Sequence, residues 1–255
     1  MTVQELYAFL EERILRTLSC DWDNDGLMCC ADETRAVKRV LVALDVTADV
    51  VKKAADEKFD LIVSHHPLIF RGLKSVTKRD IVAAKVIALL SAGVSVMSFH
   101  TRLDAVERGV NDALAAVLEL EDIQAFGANG EAMGRIGTLK SPVSLEEFAM
   151  RVKKGTGAEQ VLISDAGIPV SRVALLGGSG ADEAELAHAL GADTYLTGEL
   201  KHHQLTEAPE RGMNLIMGGH FHTENPVCER LKELVLEADP TLHVEIVNSN
   251  TTRFV

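Results

Sequence analysis

Asp60-Leu61-Ile62-Val63-Ser64-His65-His66-Pro67 is a short apolar run that stops at two imidazoles. A run this brief, rich in Leu and β-branched residues and bounded by polar ones, reads as a buried strand rather than a helix. Pro67 fixes the direction in which the chain leaves it. Residues 39–45, Arg-Val-Leu-Val-Ala-Leu-Asp, make a second such run, and residues 94–99, Val-Ser-Val-Met-Ser-Phe, a third that delivers His100. Helical spacing fills the intervals. Residues 46–57 predict a helix with Thr47 as cap, and residues 78–92 one that ends at Gly93. Another helix is expected over 6–18, and one more over 110–120. Strands that alternate with helices in this way define an α/β fold with a largely parallel sheet.

The order recurs downstream. Residues 172–176 read as a strand, 182–190 as a helix, and 193–197 as a strand that delivers Gly198 and Glu199. Residues 214–219 form a strand that delivers His220, and a helix follows over 226–236. His100-Thr101-Arg102-Leu103-Asp104 and His220-Phe221-His222-Thr223-Glu224 place His-x-x-x-carboxylate at the same point of a strand–loop–helix unit. This pattern predicts a duplication. The expected architecture is two similar mixed-sheet halves of the three-layer α/β/α type, facing each other around a dimetal cleft at their strand C-termini. The expected division is 1–120 for the first half, 121–170 for a small bridging or lid-like region, and 171–255 for the second half. Within the bridging region, Ser144 and Glu147 have the spacing of a capping box.

Composition narrows the function. The chain has 255 residues, 47% of them hydrophobic and 25% charged, as in ordinary globular proteins. A formal net charge of -12 argues against general nucleic-acid binding. An aromatic content of 4% argues against a stacking platform for single strands. Cys20, Cys29, Cys30 and Cys228 lack metal-finger spacing and suggest free thiols in a reducing compartment. No basic stretch precedes an apolar run at the N-terminus, and no run is long enough to span a bilayer, so a cytoplasmic location is expected.

The residues at the strand ends carry the chemistry. His65 and His66 follow one strand, and at a strand end the turning chain lets both rings face the same side. Asp104 is placed to ligate a metal, or else to act as a cap. His220 and Glu224 form a further arm, and Gly218-Gly219 before them permits close backbone approach. His100 is a ligand, an orienting group or an acid/base. Glu199 is a candidate general base or substrate contact, and Thr223 a candidate ligand contact or cap. Three histidines and two carboxylates exceed what one tetrahedral zinc requires and suit two divalent ions. The mixed nitrogen and oxygen donors admit zinc, iron, manganese, cobalt or nickel. Gly177-Gly178-Ser179-Gly180 matches no phosphate-loop fingerprint.

These motifs resemble the GTP cyclohydrolase 1 type 2 homologue family, the NGG-interacting-factor-like dimetal proteins. The resemblance rests on Trp22-Asp23-Asn24-Asp25-Gly26-Leu27, Ser64-His65-His66-Pro67-Leu68-Ile69-Phe70, His100-Thr101-x-Leu103-Asp104, Gly109-Val110-Asn111-Asp112, Thr197-Gly198-Glu199 and Gly219-His220-x-x-Thr223-Glu224, which span nearly the whole chain. It implies metal ligands at His65, His66, Asp104, His220 and Glu224, with His100 at the edge of the site. It also implies self-association into a homohexamer. Arg102 departs from the family pattern, in which a small or polar residue is usual. A positive side chain there is expected to attract an anionic substrate or to narrow access.

Two functions compete. One is a metal-dependent hydrolase acting through metal-activated water on a small phosphorylated, nucleotide or cyclic-amide substrate, with Glu199 or His100 moving the proton and Arg102 holding an anion. The other is non-catalytic metal storage, metal delivery or regulatory interaction.

Overall fold

The computed structural model describes residues 1–128, 132–253 and 255, and divides the chain into two compact units. The first is built from Met1–Val106 together with Val227–Thr251, the second chiefly from Glu107–Pro226.

The first unit begins with α1 (Val3–Arg13), whose N-terminus is closed by a reciprocal capping box between Thr2 and Glu5. The expected helix over 6–18 thus starts and stops earlier, and Arg16–Leu18 forms a separate 3-10 turn. There follow β1 (Gly26–Cys29), β2 (Arg39–Ala43), α2 (Ala48–Asp56), β3 (Leu61–Ser64), α3 (Ile81–Ala92), β4 (Ser95–Ser98) and α4 (Thr101–Ala105). Thr47 caps α2 by accepting from Val50 N, and Gly93 ends α3 in the left-handed conformation, as their sequence positions predict.

The second unit runs through α5 (Val110–Val117), β5 (Glu121–Phe126), β6 (Gly134–Val143), α6 (Leu145–Thr156), β7 (Leu162–Ser164), β8 (Val170–Leu176), α7 (Ala184–Ala189), β9 (Thr194–Thr197), α8 (His202–Glu210), β10 (Asn214–Met217) and α9 (His220–Glu224). Its six-stranded sheet has the order β5-β6-β8-β9-β10-β7. β8, β9 and β10 are parallel, while β7 and β6 flank them antiparallel. Alternation along these strands feeds two cores. Val173, Leu175, Leu196 and Ile216 pack with Phe148 and Val152 of α6 and Leu114 of α5. Ala174, Tyr195 and Leu215 pack with Ala184 and Ala187 of α7 and Ala208 of α8.

The chain then returns to the first unit with α10 (Val227–Ala238) and β11 (His243–Ile246). The five-stranded sheet of that unit has the order β1-β4-β3-β2-β11, parallel except for β1. Leu41, Ile62 and Val96 meet α2 and α3 through Val50, Ala54, Val86 and Leu89. On the other face α10 packs against β2 and β3, and α1 against α10.

The duplication is visible in the topology. β1-β4-β3-β2 in one sheet has the same order and direction as β7-β10-β9-β8 in the other. Both units are therefore mixed α/β sheets flanked by helices.

The division of the chain differs from the sequence expectation. Residues 121–170 are neither bridge nor lid, because β6 pairs with β8 along Arg135↔Leu175 to Thr138↔Arg172 and α6 buries Leu145, Phe148 and Val152 in the second unit's core. Residues 227–251 belong with the first unit, where β11 pairs with β2. Conversely, α5 completes the second. Each repeat therefore sends the helix after its His-x-x-x-carboxylate segment into the other unit.

Candidate functional site

In the first unit, β3 and β4 are adjacent and parallel, with Ser64 paired to Ser98. Their C-terminal ends therefore release His65, His66 and His100 side by side. One ring nitrogen from each of these three histidines lies within 4.8 Å of the others. The other ring nitrogen is already engaged in every case. His65 Nδ1 is 2.9 Å from the Phe99 carbonyl, His66 Nδ1 is 2.7 Å from Asp45 Oδ1, and His100 Nδ1 is 2.8 Å from Asp23 Oδ1. An imidazole whose Nδ1 donates to an oxygen presents the lone pair of Nε2, the tautomer that binds a metal. His65 is buried, and its Nε2 lies 3.7 Å from Asp104 Oδ1 on α4.

The supporting carboxylates are themselves held. Asp23 Oδ2 accepts from the backbone N and hydroxyl of Thr101 at 3.0 and 2.7 Å. Burial acts to raise the Asp23 carboxyl pKa, but hydrogen bonds from His100 and Thr101 outweigh it and hold the group well below the usual carboxylate range. Asp45 N donates to Ser249 Oγ at 3.1 Å, which ties the anchor of His66 to the returning C-terminal segment. Asp23 enters the sequence analysis only as part of the Trp22–Leu27 motif, and Asp45 only as the end of a strand. A signal was present for Asp45: in parallel strands paired Ala43 to Ser64, a carboxylate two residues past one strand end lies level with the histidines past the other.

In the second unit, the ends of β9 and β10 release Glu199 and His220. His220 Nδ1 is 2.8 Å from Glu199 Oε1, and its Nε2 is 3.3 Å from Glu224 Oε2, one helical turn on. Glu224 is buried. The glycine run at 177–180 makes room for this pair. A Cβ on Gly178, at φ +62°, would stand 2.0 Å from Glu224 Oε1 and 3.2 Å from His220 Nε2. Its backbone N–H donates to Thr223 Oγ1 at 3.0 Å.

Two roles expected from sequence are corrected. Arg102 is fully buried and cannot hold a substrate: its Nε donates to Asp25 at 2.9 Å and its Nη1 to Glu11 at 2.6 Å, with the Ile14 carbonyl also accepting at 3.0 Å. It braces α4 against the N-terminal segment. Thr223 is also fully buried, with its hydroxyl 2.9 Å from the Gly219 carbonyl, so it locks the loop rather than contacting substrate. Glu199, expected as a general base or substrate contact, places one oxygen 2.8 Å from His220 Nδ1 and accepts with the other from Ser179 Oγ at 3.3 Å.

Five ligands expected from sequence therefore fall into one cluster in each unit: His65, His66 and Asp104 in the first, His220 and Glu224 in the second. Each histidine is oriented by an oxygen on its far nitrogen. Nitrogen and carboxylate donors in this arrangement fit divalent transition metals. The fold and the clusters define a two-unit α/β protein of the metal-binding class.

The chain belongs to the Duf34/NIF3 (NGG1p interacting factor 3) family, which it matches over residues 1–253. It is 31% identical to the "GTP cyclohydrolase 1 type 2 homolog" of Clostridium acetobutylicum over 232 residues, 89% of this chain and 86% of that one. It is 34% identical to the "Protein NIF3 homolog" of Schizosaccharomyces pombe, covering 91% of this chain and 87% of the other. Among solved structures, Staphylococcus aureus SA1388 superposes with a TM-score of 0.91 at 26% identity, over 100% of this chain and 99% of that one.

Proposed function

We propose that the chain holds two divalent metal ions and is a metal-dependent hydrolase of a small phosphorylated, nucleotide or cyclic-amide substrate. The ligands assigned are His65, His66 and Asp104 from the first unit with His220 and Glu224 from the second. The observation that carries the reading is that all four histidines, His100 included, have Nδ1 fixed by an oxygen acceptor. Such anchoring is what orients metal-ligating imidazoles. When bound, divalent ions supply Lewis acidity and lower the pKa of water. His100 is the residue assigned to proton transfer. Its Nε2 takes up the proton while the Asp23 carboxylate on Nδ1 stabilises the imidazolium. The names of the relatives make GTP one compound to test.

The experiment is metal content per chain, measured on protein purified without added metal, together with a hydrolysis screen that includes GTP. Wild type, Asp104→Ala and His100→Gln are compared. The expected result is two metals in wild type, fewer in Asp104→Ala, and metal retained but turnover lost in His100→Gln. Two metals without turnover of any phosphoester, nucleotide or cyclic amide would replace the hydrolase by metal storage or delivery. A metal-free wild type would remove both readings.

A further inference from the structure

The burial of Arg102 removes the cation expected to meet an anionic substrate, yet the same unit carries another basic feature. Residues 71–85 contain Arg71, Lys74, Lys78, Arg79 and Lys85 against the single carboxylate of Asp80, in a chain whose net charge is -12. Among the described residues, Arg71, Lys74, Lys78 and Arg79 form no salt bridge, while Lys85 lies within reach of the Asp45 charge. Asp80 is spent locally, since its side chain caps α3 by accepting from Ala83 N at 2.8 Å.

Three of the cations share a cavity of about 600 Å³ that also takes in Pro67, Phe70, Ser75 and Asp80, whose carboxylate is engaged as the α3 cap. Arg71 and Lys74 are exposed on its rim. Lys85 is half-buried at its side and donates to the Val46 carbonyl at 2.7 Å. That bond solvates the ammonium without neutralising it. The cavity starts at Pro67, the residue after His66. Its Phe70 ring lies 5.9 Å from the His100 ring and 6.1 Å from Trp22, and Asn24 donates to the Ile69 carbonyl, fixing the Trp22 loop beside it.

We propose that this cavity is an anion-binding subsite that takes the phosphate group of a small ligand, with Arg71, Lys74 and Lys85 as its cations and the Ser75 hydroxyl as a further donor. Arginine supplies a planar fork for phosphate oxygens and lysine a mobile point charge. Concentrating cations in an otherwise acidic protein also draws anions to this opening rather than to the surface at large. That the subsite serves a substrate rests on the hydrolase reading; that it binds an anion does not.

Trp22, the one tryptophan of the chain, is 62% exposed and in contact with Phe70 on the cavity wall, so its fluorescence reports on occupancy. The full-length protein is titrated with inorganic phosphate at low ionic strength, where exposed charges are least screened, by Trp22 fluorescence and calorimetry. Metal content per chain is measured in parallel. Wild type is expected to bind saturably. Arg71→Glu/Lys74→Glu is expected to bind at least about tenfold more weakly, the equivalent of ~1.4 kcal/mol, with metal content and far-UV circular dichroism unchanged. Asp104→Ala is expected to lose metal and keep phosphate binding. Saturable binding to a wild type found to be metal-free would leave the subsite standing while removing the hydrolase. The subsite is overturned if wild type shows no saturable binding, or if charge reversal changes nothing while Asp104→Ala abolishes binding, which would put the phosphate on the metals.

Discussion

Glu199 illustrates how position at a strand end differs from role. In sequence it occupies the place that His65 holds in the first repeat, and an isolated carboxylate there reads as a base. In the structure its Oε1 is 2.8 Å from His220 Nδ1, where it fixes the tautomer and direction of a candidate ligand. Glu199→Gln keeps the shape but substitutes a neutral amide for the charge. Metal affinity, measured by competition with a chromophoric chelator, is expected to fall about 10- to 100-fold, with the fold intact; unchanged affinity would return Glu199 to the role of base. The candidate histidines are legible because each follows an apolar run, and the two carboxylates because each stands four residues beyond a histidine. The anchors of the histidines are not: Asp45 and His66 are 21 positions apart and Asp23 and His100 are 77 apart, so only strand pairing and loop packing bring them together. The burial of Arg102 is hidden from the sequence for the same reason. A buried guanidinium needs distant partners, here Glu11 and Asp25, and one sequence window does not contain them.

Among the elements, the strands buried on both faces were readable and the edge strands were not. β2, β3, β9 and β10 are almost wholly buried and, like residues 173–176 of β8, are centred on short apolar runs. β5 is exposed at five of six positions and carries no such pattern. β6 contains Gly134 and Gly137, which suggest a loop. A Cβ at Gly134 would stand 2.4 Å from the Phe126 ring, and one at Gly137 2.8 Å from the Glu121 carbonyl, so these glycines let β5 pack closely. α10 was placed correctly along the chain, and its inward face of Val227, Cys228, Leu231, Leu234 and Val235 follows helical spacing. That face sets a pH response. Burial, with added repulsion from Asp45 and Glu229, pushes the Cys228 thiol up from 9.0 to about 12. A folded-state pKa above the unfolded one stabilises the native form fully below about pH 9, and that stabilisation drains away as pH rises toward 12. Cys29, raised by burial and by Cys30 to about 11, adds in the same direction. Urea melts from pH 8 to 11 are therefore expected to show falling stability, with a shallower fall in Cys228→Val. Equal slopes in the two proteins would mean that Cys228 does not titrate as described.

At the scale of the whole chain, the duplication was legible and the division into units was not, because periodic spacing identifies elements but not the sheet each one joins. The exchange of α5 and α10 has a consequence for folding. Residues 107–226 are continuous and contain every residue of the two cores on either side of the six-stranded sheet. Residues 1–106 are not self-sufficient. Without 227–251 they lose α10 from one face, and β2, whose last four residues are buried, becomes an open edge in place of its pairing with β11. An exposed apolar edge of this kind aggregates. A fragment of residues 107–226 is thus expected to be soluble and to unfold in a single sigmoidal urea transition, followed by circular dichroism. A fragment of residues 1–106 is expected to be insoluble or to melt without cooperativity. Joining 227–251 ahead of Met1 through a flexible glycine–serine linker restores both missing elements, and a cooperative transition is expected to return with them. The opposite pattern, a cooperative 1–106 alongside an unfolded 107–226, would show that stability follows the sequence repeats rather than the sheets, and would return α10 and β11 to the second half.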